Sequence, residues 1–269
     1  MFPQPTDFRD ESQALHDLLA PLSDADFDRP TRFKGWTIGE ILTHLHVWNQ
    51  AADTSLTDAP AFVAYITDFN RRRAAGASMR EIERALVAPL RGRALLEAWR
   101  ATFERVAVHF AAADPKARVQ WAGPDMSVRS SVTARLMETW AHGQAVYDLL
   151  GVERADTDRI QNIAVLGINT FGWTFKVHSA PLPAVVPHVR LTAPSGAVWI
   201  WNQPSETDLI EGSATEFCQT VTQVRNVADT RLKVVGESAQ RWMAIAQCFA
   251  GGPETPPAPG TRVREMATR

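Results

Sequence analysis

Apolar residues recur every three or four positions through the first half of the chain, which is the spacing of amphipathic helices. The clearest stripe consists of Ile38, Ile41, Leu42, Leu45, Trp48 and Ala52. Thr37 and Glu40 begin it with the spacing of a capping box. The same periodicity predicts helices over residues 7–22, 59–73, 79–87, 95–113 and 130–150, with Gly151 ending the last. Together these segments predict a four-helix bundle with connections of uneven length.

Beyond residue 155 the segments become shorter and mixed in type. His188–Thr192 and residues 197–201 flank a Pro-Ser-Gly turn and predict a β-hairpin, and residues 232–236 predict a short strand. Helices are expected over residues 156–177, after a capping box of Ser213 and Glu216, and over residues 239–249. A Pro/Gly-rich tail follows and is expected to pack little. We therefore predict a helical bundle over residues 1–152 and an α+β domain with a small sheet over residues 153–269.

Composition and charge narrow the classes of partner. Apolar residues make up 45% and charged residues 22%, as in a globular protein with a real core. The net charge of −2 argues against nucleic acid or an anionic membrane as the main partner, so a small molecule is expected. The N-terminus lacks the features of a signal peptide, and no apolar run is long enough to span a bilayer, which predicts a cytoplasmic protein. A monomer and a homodimer are both compatible with the sequence. Cys218 and Cys248 are expected to be reduced, buried thiols.

The pattern that carries chemistry lies on the helix over residues 130–150. Glu138 and His142 are four positions apart and so lie about 40° from each other on one helical face. A carboxylate and an imidazole at that spacing can share a metal ion. His44 and His46 are candidates for a third ligand, but they lie about 200° apart on their helix. Periodicity alone does not choose between them.

A resemblance to a known family makes that choice. Three segments carry it: Gly35-Trp36-Thr37 with Leu42-Thr43-His44-Leu45, Arg135-Leu136-Met137-Glu138-Thr139-Trp140-Ala141-His142, and Gly236-Glu237-Ser238-Ala239. They resemble the mycothiol-dependent maleylpyruvate isomerase family, a branch of the DinB-like metal-binding superfamily. The resemblance implies a DinB-like bundle followed by a smaller α/β domain. It also implies a divalent metal on His44, Glu138 and His142, with zinc favoured over nickel, manganese or iron. His46 is then a residue of the surface or near the ligands.

The resemblance also implies a function. A low-molecular-weight thiol such as mycothiol is expected to bind the metal as its thiolate and to attack an electron-poor carboxylate substrate, in an isomerase or S-transferase reaction. Arg225 corresponds to an arginine of the family's second domain and is expected to hold the substrate carboxylate. The family commonly carries an aspartate three residues after the second histidine, whereas this chain has Ala145 there. Asp53 is then a candidate base by helix position only.

Two other functions are compatible with the same ligand pattern. The metal can activate water, which would make the protein a hydrolase or hydratase. Alternatively, the bundle binds a metal or a small ligand without turnover. The residues themselves do not separate these functions from thiol chemistry.

Overall fold

The computed structural model describes residues 2–265, which form two compact units divided between Val146 and Tyr147. The first unit is mainly helical. Its helices are α1 (Gln4–Leu19), α2 (Ile38–Thr57), α3 (Ala59–Ala74), α4 (Met79–Val87), α5 (Gly92–Ala112) and α6 (Val128–Leu150), the last of which runs across the division. The predicted domain limits of 1–152 and 153–269 stay a prediction.

The packing of the first unit confirms the expected helical bundle. Helix α5 packs against both α1 and α2, and α2 packs against α3 and α4 as well. Helices α3 and α4 occupy the long connection between α2 and α5, so this connection adds two helices that pack on α2. Between α5 and α6, the short strands β1 (Arg118–Val119) and β2 (Met126–Ser127) pair antiparallel.

A cluster of aromatic and apolar side chains fills the region between α2, α3 and α4. Its buried members are Trp48, Ala51, Phe62, Phe69 and Ile82, and Tyr65, Ile66, Ala77, Met79 and Trp121 pack against them. The cluster fixes α4 against α2, which matters for the site described below. Among the described residues, no helix is both long enough and apolar enough to cross a membrane.

The second unit contains the predicted mixture of helices and a small sheet. Its elements are α7 (Gln161–Asn169), α8 (Phe171–Val177), β3 (His188–Thr192), β4 (Val198–Trp201), β5 (Leu209–Ser213), α9 (Ala214–Val221), β6 (Lys233–Val235) and α10 (Glu237–Ile245). The strand order is β4-β3-β5-β6. Strands β3 and β5 are parallel and the other pairs antiparallel, so the predicted β3–β4 hairpin is confirmed. The fold class is therefore a helical bundle followed by an α+β region.

Two local predictions in this unit are wrong. The helix expected over residues 156–177 is divided at Thr170, whose hydroxyl donates to the carbonyl oxygens of Leu166 (2.7 Å) and Gly167 (3.0 Å). The capping box of Ser213 and Glu216 does not form: the structure shows no side-chain hydrogen bond at the start of α9. Ser213 is instead the last residue of β5, and the Glu216 carboxylate lies 3.5 Å from Arg231.

The C-terminal tail is exposed over most of its length, but its backbone is anchored. Gln247 accepts a hydrogen bond from Glu254 N (2.9 Å) and donates one to Gly252 O (3.0 Å). Asn226 donates to Pro257 O at 2.8 Å. The Arg262 side chain also donates to Gln223 O (2.6 Å), and Arg264 pairs with Glu153 (3.0 Å). The expectation of a tail that packs little therefore holds for its exposure and misses these contacts.

Candidate metal centre

The first turn of α2 places His44. Thr37 Oγ1 accepts a hydrogen bond from Glu40 N (3.1 Å) and Glu40 Oε2 accepts one from Thr37 N (3.0 Å), which confirms the predicted capping box. Glu40 also forms ion pairs with Arg84 (2.8 Å) and Arg80 (3.2 Å), both on α4. The start of α2 is thus capped and tied to α4 by one carboxylate.

Three side chains converge: Glu138 and His142, which share one face of α6, and His44 of α2, which the family resemblance selected. Glu138 Oε2 lies 3.2 Å from His142 Nε2 and 3.6 Å from His44 Nε2. One ligand atom from each residue lies within 4.8 Å of the others. The three side chains are only 12–19% exposed, so their donor atoms face a largely enclosed space.

His46 does not belong to this group. It is 4% exposed, so the expectation of a surface residue is wrong, and its Nδ1 has no hydrogen-bond partner among the described residues. Burial, together with the charge of Arg105, lowers the pKa of His46 to about 4. It is therefore a neutral residue of the bundle interior. The structure brings His44, and not His46, to Glu138 and His142.

The Glu83 side chain on α4 is the part of the site that periodicity missed. Its carboxylate is 1% exposed, and its Oε1 accepts hydrogen bonds from His44 Nδ1 (2.9 Å) and from Trp48 Nε1 (2.7 Å). Histidine ligands of metals characteristically donate their second ring nitrogen to such a carboxylate, which fixes the ring and its tautomer. The available signal was the position of Glu83 in the apolar stripe of α4, beside Ile82 and four residues before Val87.

His142 is held by aromatic rings. The Trp36 ring stacks on it at 5.8 Å and an interplanar angle of 10°, and the Phe33 ring meets it edge-on at 4.8 Å. Its Nδ1 is buried with no hydrogen-bond partner in the described part of the chain. The turn that carries both rings passes through Lys34 (φ 51°) and Gly35 (φ 69°), and the left-handed conformation favours glycine at the second of these positions. Ring packing, together with the contact of Nε2 with Glu138 at 3.2 Å, therefore orients this imidazole.

The charges of the three residues depend on one another. Burial alone would lower the pKa of His44, but hydrogen bonds with Glu138 and Glu83 outweigh it and raise the pKa to about 9. Burial would raise the pKa of Glu138, yet the hydrogen bonds from His142 and His44 hold it well below its ordinary value. Burial and the charge on His44 lower the pKa of His142 despite its contact with Glu138. At neutral pH without a metal, His44 is protonated, Glu138 ionised and His142 neutral.

This set of donors fits a divalent transition metal. Two imidazoles and one carboxylate are the ligands of several catalytic zinc sites, which keep a further position for water or substrate. The protonated His44 ring has Glu83 at Nδ1 (2.9 Å) and Glu138 at Nε2 (3.6 Å), so a positive charge at this place is balanced by two carboxylates. The fit is one of donor chemistry and convergence, and the ligand assignment is a proposal.

The structure gives each of the two other candidate residues from the sequence a partner of its own. Arg225, in the second unit, forms an ion pair between its Nη2 and Asp148 Oδ1 at 2.7 Å. Asp53 lies nine residues beyond His44 on α2, about 180° around the helix, and its carboxylate binds Arg105 (2.9 Å) and His109 (2.7 Å). Asp53 is thus engaged away from the ligands.

Comparison with known proteins agrees with this architecture. Residues 8–147 match the profile of the mycothiol maleylpyruvate isomerase N-terminal domain. Two proteins of Mycobacterium tuberculosis, each described as uncharacterised, are 40% identical over 247 residues, which covers 92% of this chain and 95% of each relative. A crystal structure of the mycothiol-dependent maleylpyruvate isomerase superposes with a TM-score of 0.52 and 16% identity, over 81% of this chain and 86% of that chain. Its histidine-to-alanine mutant gives a TM-score of 0.50.

The structural match defines the class: a DinB-like helical fold with a C-terminal domain. At 16% identity that likeness shows the fold alone. The profile covers about half of the chain, including the helices that carry His44, Glu138 and His142. The chain belongs to the mycothiol maleylpyruvate isomerase family.

Replacing single histidines tests the ligand assignment. Protein purified without chelators should contain close to one divalent metal per chain by elemental analysis. His44→Ala and His142→Ala should lose it, since each removes a converging nitrogen, whereas His46→Gln should retain it. Equal loss from all three variants, or a wild-type protein that takes up no metal, would contradict the assignment.

The pH dependence of metal affinity should report the proton on His44. A metal ion must displace that proton, so apparent affinity should fall about tenfold for each pH unit below 9 and level off above it. Glu83→Gln should weaken affinity about 10- to 100-fold above pH 9, because the ligand loses its orienting carboxylate. The difference should narrow at lower pH, because the pKa of His44 also falls in this variant.

Competition with a chromophoric chelator over pH 6.5–10 measures both effects. Glu104→Gln is a matched control, since it removes an exposed carboxylate on α5 that pairs with Arg100. A Glu83→Gln profile parallel to that of the wild type would show that Glu83 does not set the pKa of His44.

Proposed function

We propose that this protein is a metal-dependent enzyme that uses a low-molecular-weight thiol such as mycothiol to isomerise, or to join to sulfur, a small electron-poor carboxylate. The observation that carries the proposal is the convergence of His44, Glu138 and His142, with one histidine held by a buried carboxylate. Membership of the family supports the choice of a thiol over water. The similar solved structure is of a mycothiol-dependent enzyme.

The three converging residues would hold the metal, with zinc as the first candidate. The metal, when bound, would supply the Lewis acidity that keeps a thiol ionised at neutral pH. Glu83 holds the His44 ring through Nδ1, so that Nε2 points toward Glu138. Trp36 and Phe33 cover His142 and limit the access of water to that side.

The chemistry expected of the thiolate conserves atoms and electrons without an oxidant. Sulfur adds to a conjugated carbon of the substrate, and the electron pair of the carbon–carbon double bond moves onto the adjacent carbonyl group. Rotation about the resulting single bond and loss of the same thiolate would give the isomer and regenerate the thiol. If a proton reaches the intermediate first, the thioether remains as an S-transfer product.

The Ala145 methyl group separates this chain from the aspartate common in the family. A methyl group neither accepts a proton nor donates a hydrogen bond, so a proton acceptor is missing at this position of α6. The proposal therefore leaves the substrate as an electron-poor carboxylate and does not extend to maleylpyruvate itself.

Cobalt substitution tests thiol chemistry directly. Cobalt-loaded protein titrated with mycothiol, or with glutathione as a simpler thiol, should develop a thiolate-to-cobalt charge-transfer band in the near ultraviolet. The band should saturate at micromolar to millimolar thiol and should be absent from His142→Ala. Hydrolysis or hydration of substrate without any thiol, together with a spectrum that thiols leave unchanged, would favour the water-activating function. A metal site that supports neither reaction would favour binding without turnover.

Arg225 remains the expected grip for the substrate carboxylate, and its ion pair with Asp148 suggests a matched pair of variants. Arg225→Ala removes the guanidinium, whereas Asp148→Asn removes its partner and leaves the guanidinium in place. If Arg225 binds the substrate, only Arg225→Ala should weaken carboxylate binding, by about 1.5–3 kcal/mol. Isothermal titration measures this, and equal effects of the two variants would show that the ion pair itself matters.

A further inference from the structure

The first unit contains a buried guanidinium, two of whose nitrogen atoms have no hydrogen-bond partner in the described part of the chain. Arg135 on α6 is 4% exposed, and its Nε and Nη1 find no hydrogen-bond acceptor among the described residues. Other enclosed cations of this chain are paired: Arg225 binds Asp148, at 13% and 6% exposure respectively. An arginine has five N–H donors, and leaving several of them unused in an enclosed place is costly.

Arg135 lies on the stripe of α6 that carries the candidate metal ligands. It is one turn before Glu138, and on a helical wheel it is about 20° from His142. Its guanidinium carbon lies 5.1 Å from the centroid of the Trp121 ring. The Trp121 ring packs at 5.7 Å against Trp48, whose Nε1 donates to Glu83. A series of contacts, through Trp48 and Trp121, therefore connects Glu83 beside His44 to the guanidinium of Arg135.

The electrostatic surroundings leave the positive charge of Arg135 incompletely balanced. Burial lowers the pKa of Arg135, and the charge of Glu138 opposes that shift without a hydrogen bond between the two side chains. A cation–π contact with an indole recovers less free energy than it costs to remove the ion from water. With a divalent cation in place, the carboxylates of Glu83 and Glu138 balance the metal. Arg135 then carries the remaining positive charge.

From these observations we propose that Arg135 binds the carboxylate of the small-molecule substrate, with Trp121 as the apolar face beneath it. A guanidinium presents a planar fork that matches the two oxygens of a carboxylate, and the unpaired Nε belongs to that fork. The proposal rests on the proposed function, because it assigns the anion-binding group of that same site. It stands whether or not Arg225 also binds the substrate. It places carboxylate recognition on the helix that also supplies two of the metal ligands.

The test uses zinc-loaded protein and maleate, a small unreactive dicarboxylate in the absence of thiol, with its uncharged diamide as the comparison. In isothermal titration, wild-type protein should bind maleate and not the diamide. Arg135→Met should weaken maleate binding about 10- to 100-fold, and Arg135→Lys, which keeps the charge and loses the fork, about tenfold or less. The control is Arg129→Met. Arg129 also lies on α6, but its exposed guanidinium packs over the Phe2 ring, so its removal should not change maleate affinity.

Thermal unfolding of the same samples separates this role from a structural one. A buried arginine whose role is to bind a ligand should destabilise the ligand-free protein. The midpoint of thermal unfolding of Arg135→Met should therefore equal or exceed that of the wild type. A lower midpoint, or a variant that does not fold, would indicate a structural role and would count against the proposal. Arg135→Lys then provides the binding comparison in a folded protein.

Zinc content, measured on each sample, keeps the two proposals apart. Full zinc occupancy with no maleate binding by the wild type, or with equal binding by Arg135→Met, overturns the role of Arg135 and leaves the metal centre intact. Protein that takes up no zinc contradicts the metal centre itself. Full occupancy in every variant, with affinity lost only at position 135, supports the assignment.

Discussion

The buried carboxylate of Glu83 is the contact on which the arrangement of the first unit depends. A single oxygen atom accepts hydrogen bonds from His44 and Trp48, two residues one turn apart on α2, while Glu83 itself lies on α4. A carboxylate that is 1% exposed is tolerable only where such donors surround it. The bond therefore sets both where α4 packs on α2 and which way the His44 ring faces. The aromatic cluster around Trp48 closes over the same contact.

The two candidate histidine ligands are held in unlike ways, and this has chemical consequences. His44 donates to an anionic oxygen, so its Nε2 is a strongly basic donor with a raised pKa. His142 has aromatic rings rather than a second carboxylate beside it, and burial lowers its pKa. As a metal ligand, the first ring would therefore be tight but sensitive to protons, whereas the second would bind without releasing a proton. Glu138 contacts both rings and balances the charge of the first.

The local features of this fold were accessible from the sequence because they depend on neighbours in the chain. The Thr37–Glu40 capping box, the β3–β4 hairpin and the stripe shared by Glu138 and His142 all follow from spacing of a few residues. Periodicity could not choose between His44 and His46, since both border the apolar face of α2. That choice came from the resemblance to a family.

Contacts between distant segments were not accessible in the same way. Glu83 is 39 positions from His44 and lies on a separate short helix, so only the packed bundle brings them together. Asp148 and Arg225 are 77 positions apart, and their pairing shows that a guanidinium expected to be available for substrate already has a partner. Ser213 does not form the predicted capping box; it pairs with Thr192 as the last residue of β5, a contact between distant segments.

The distribution of these contacts bears on how the protein divides its chemistry. The family profile covers residues 8–147, which contain the converging donors, Glu83, the aromatic rings on His142 and the unpaired Arg135. If Arg135 is the anion-binding group, one helix carries two metal ligands and the substrate grip on a single stripe, and their spacing is set by helix geometry alone. In such a site, the distance between the metal ligands and the carboxylate-binding group would not depend on the sequence that follows α6. Selection among thiols or among substrates of different length would then fall to residues outside that stripe.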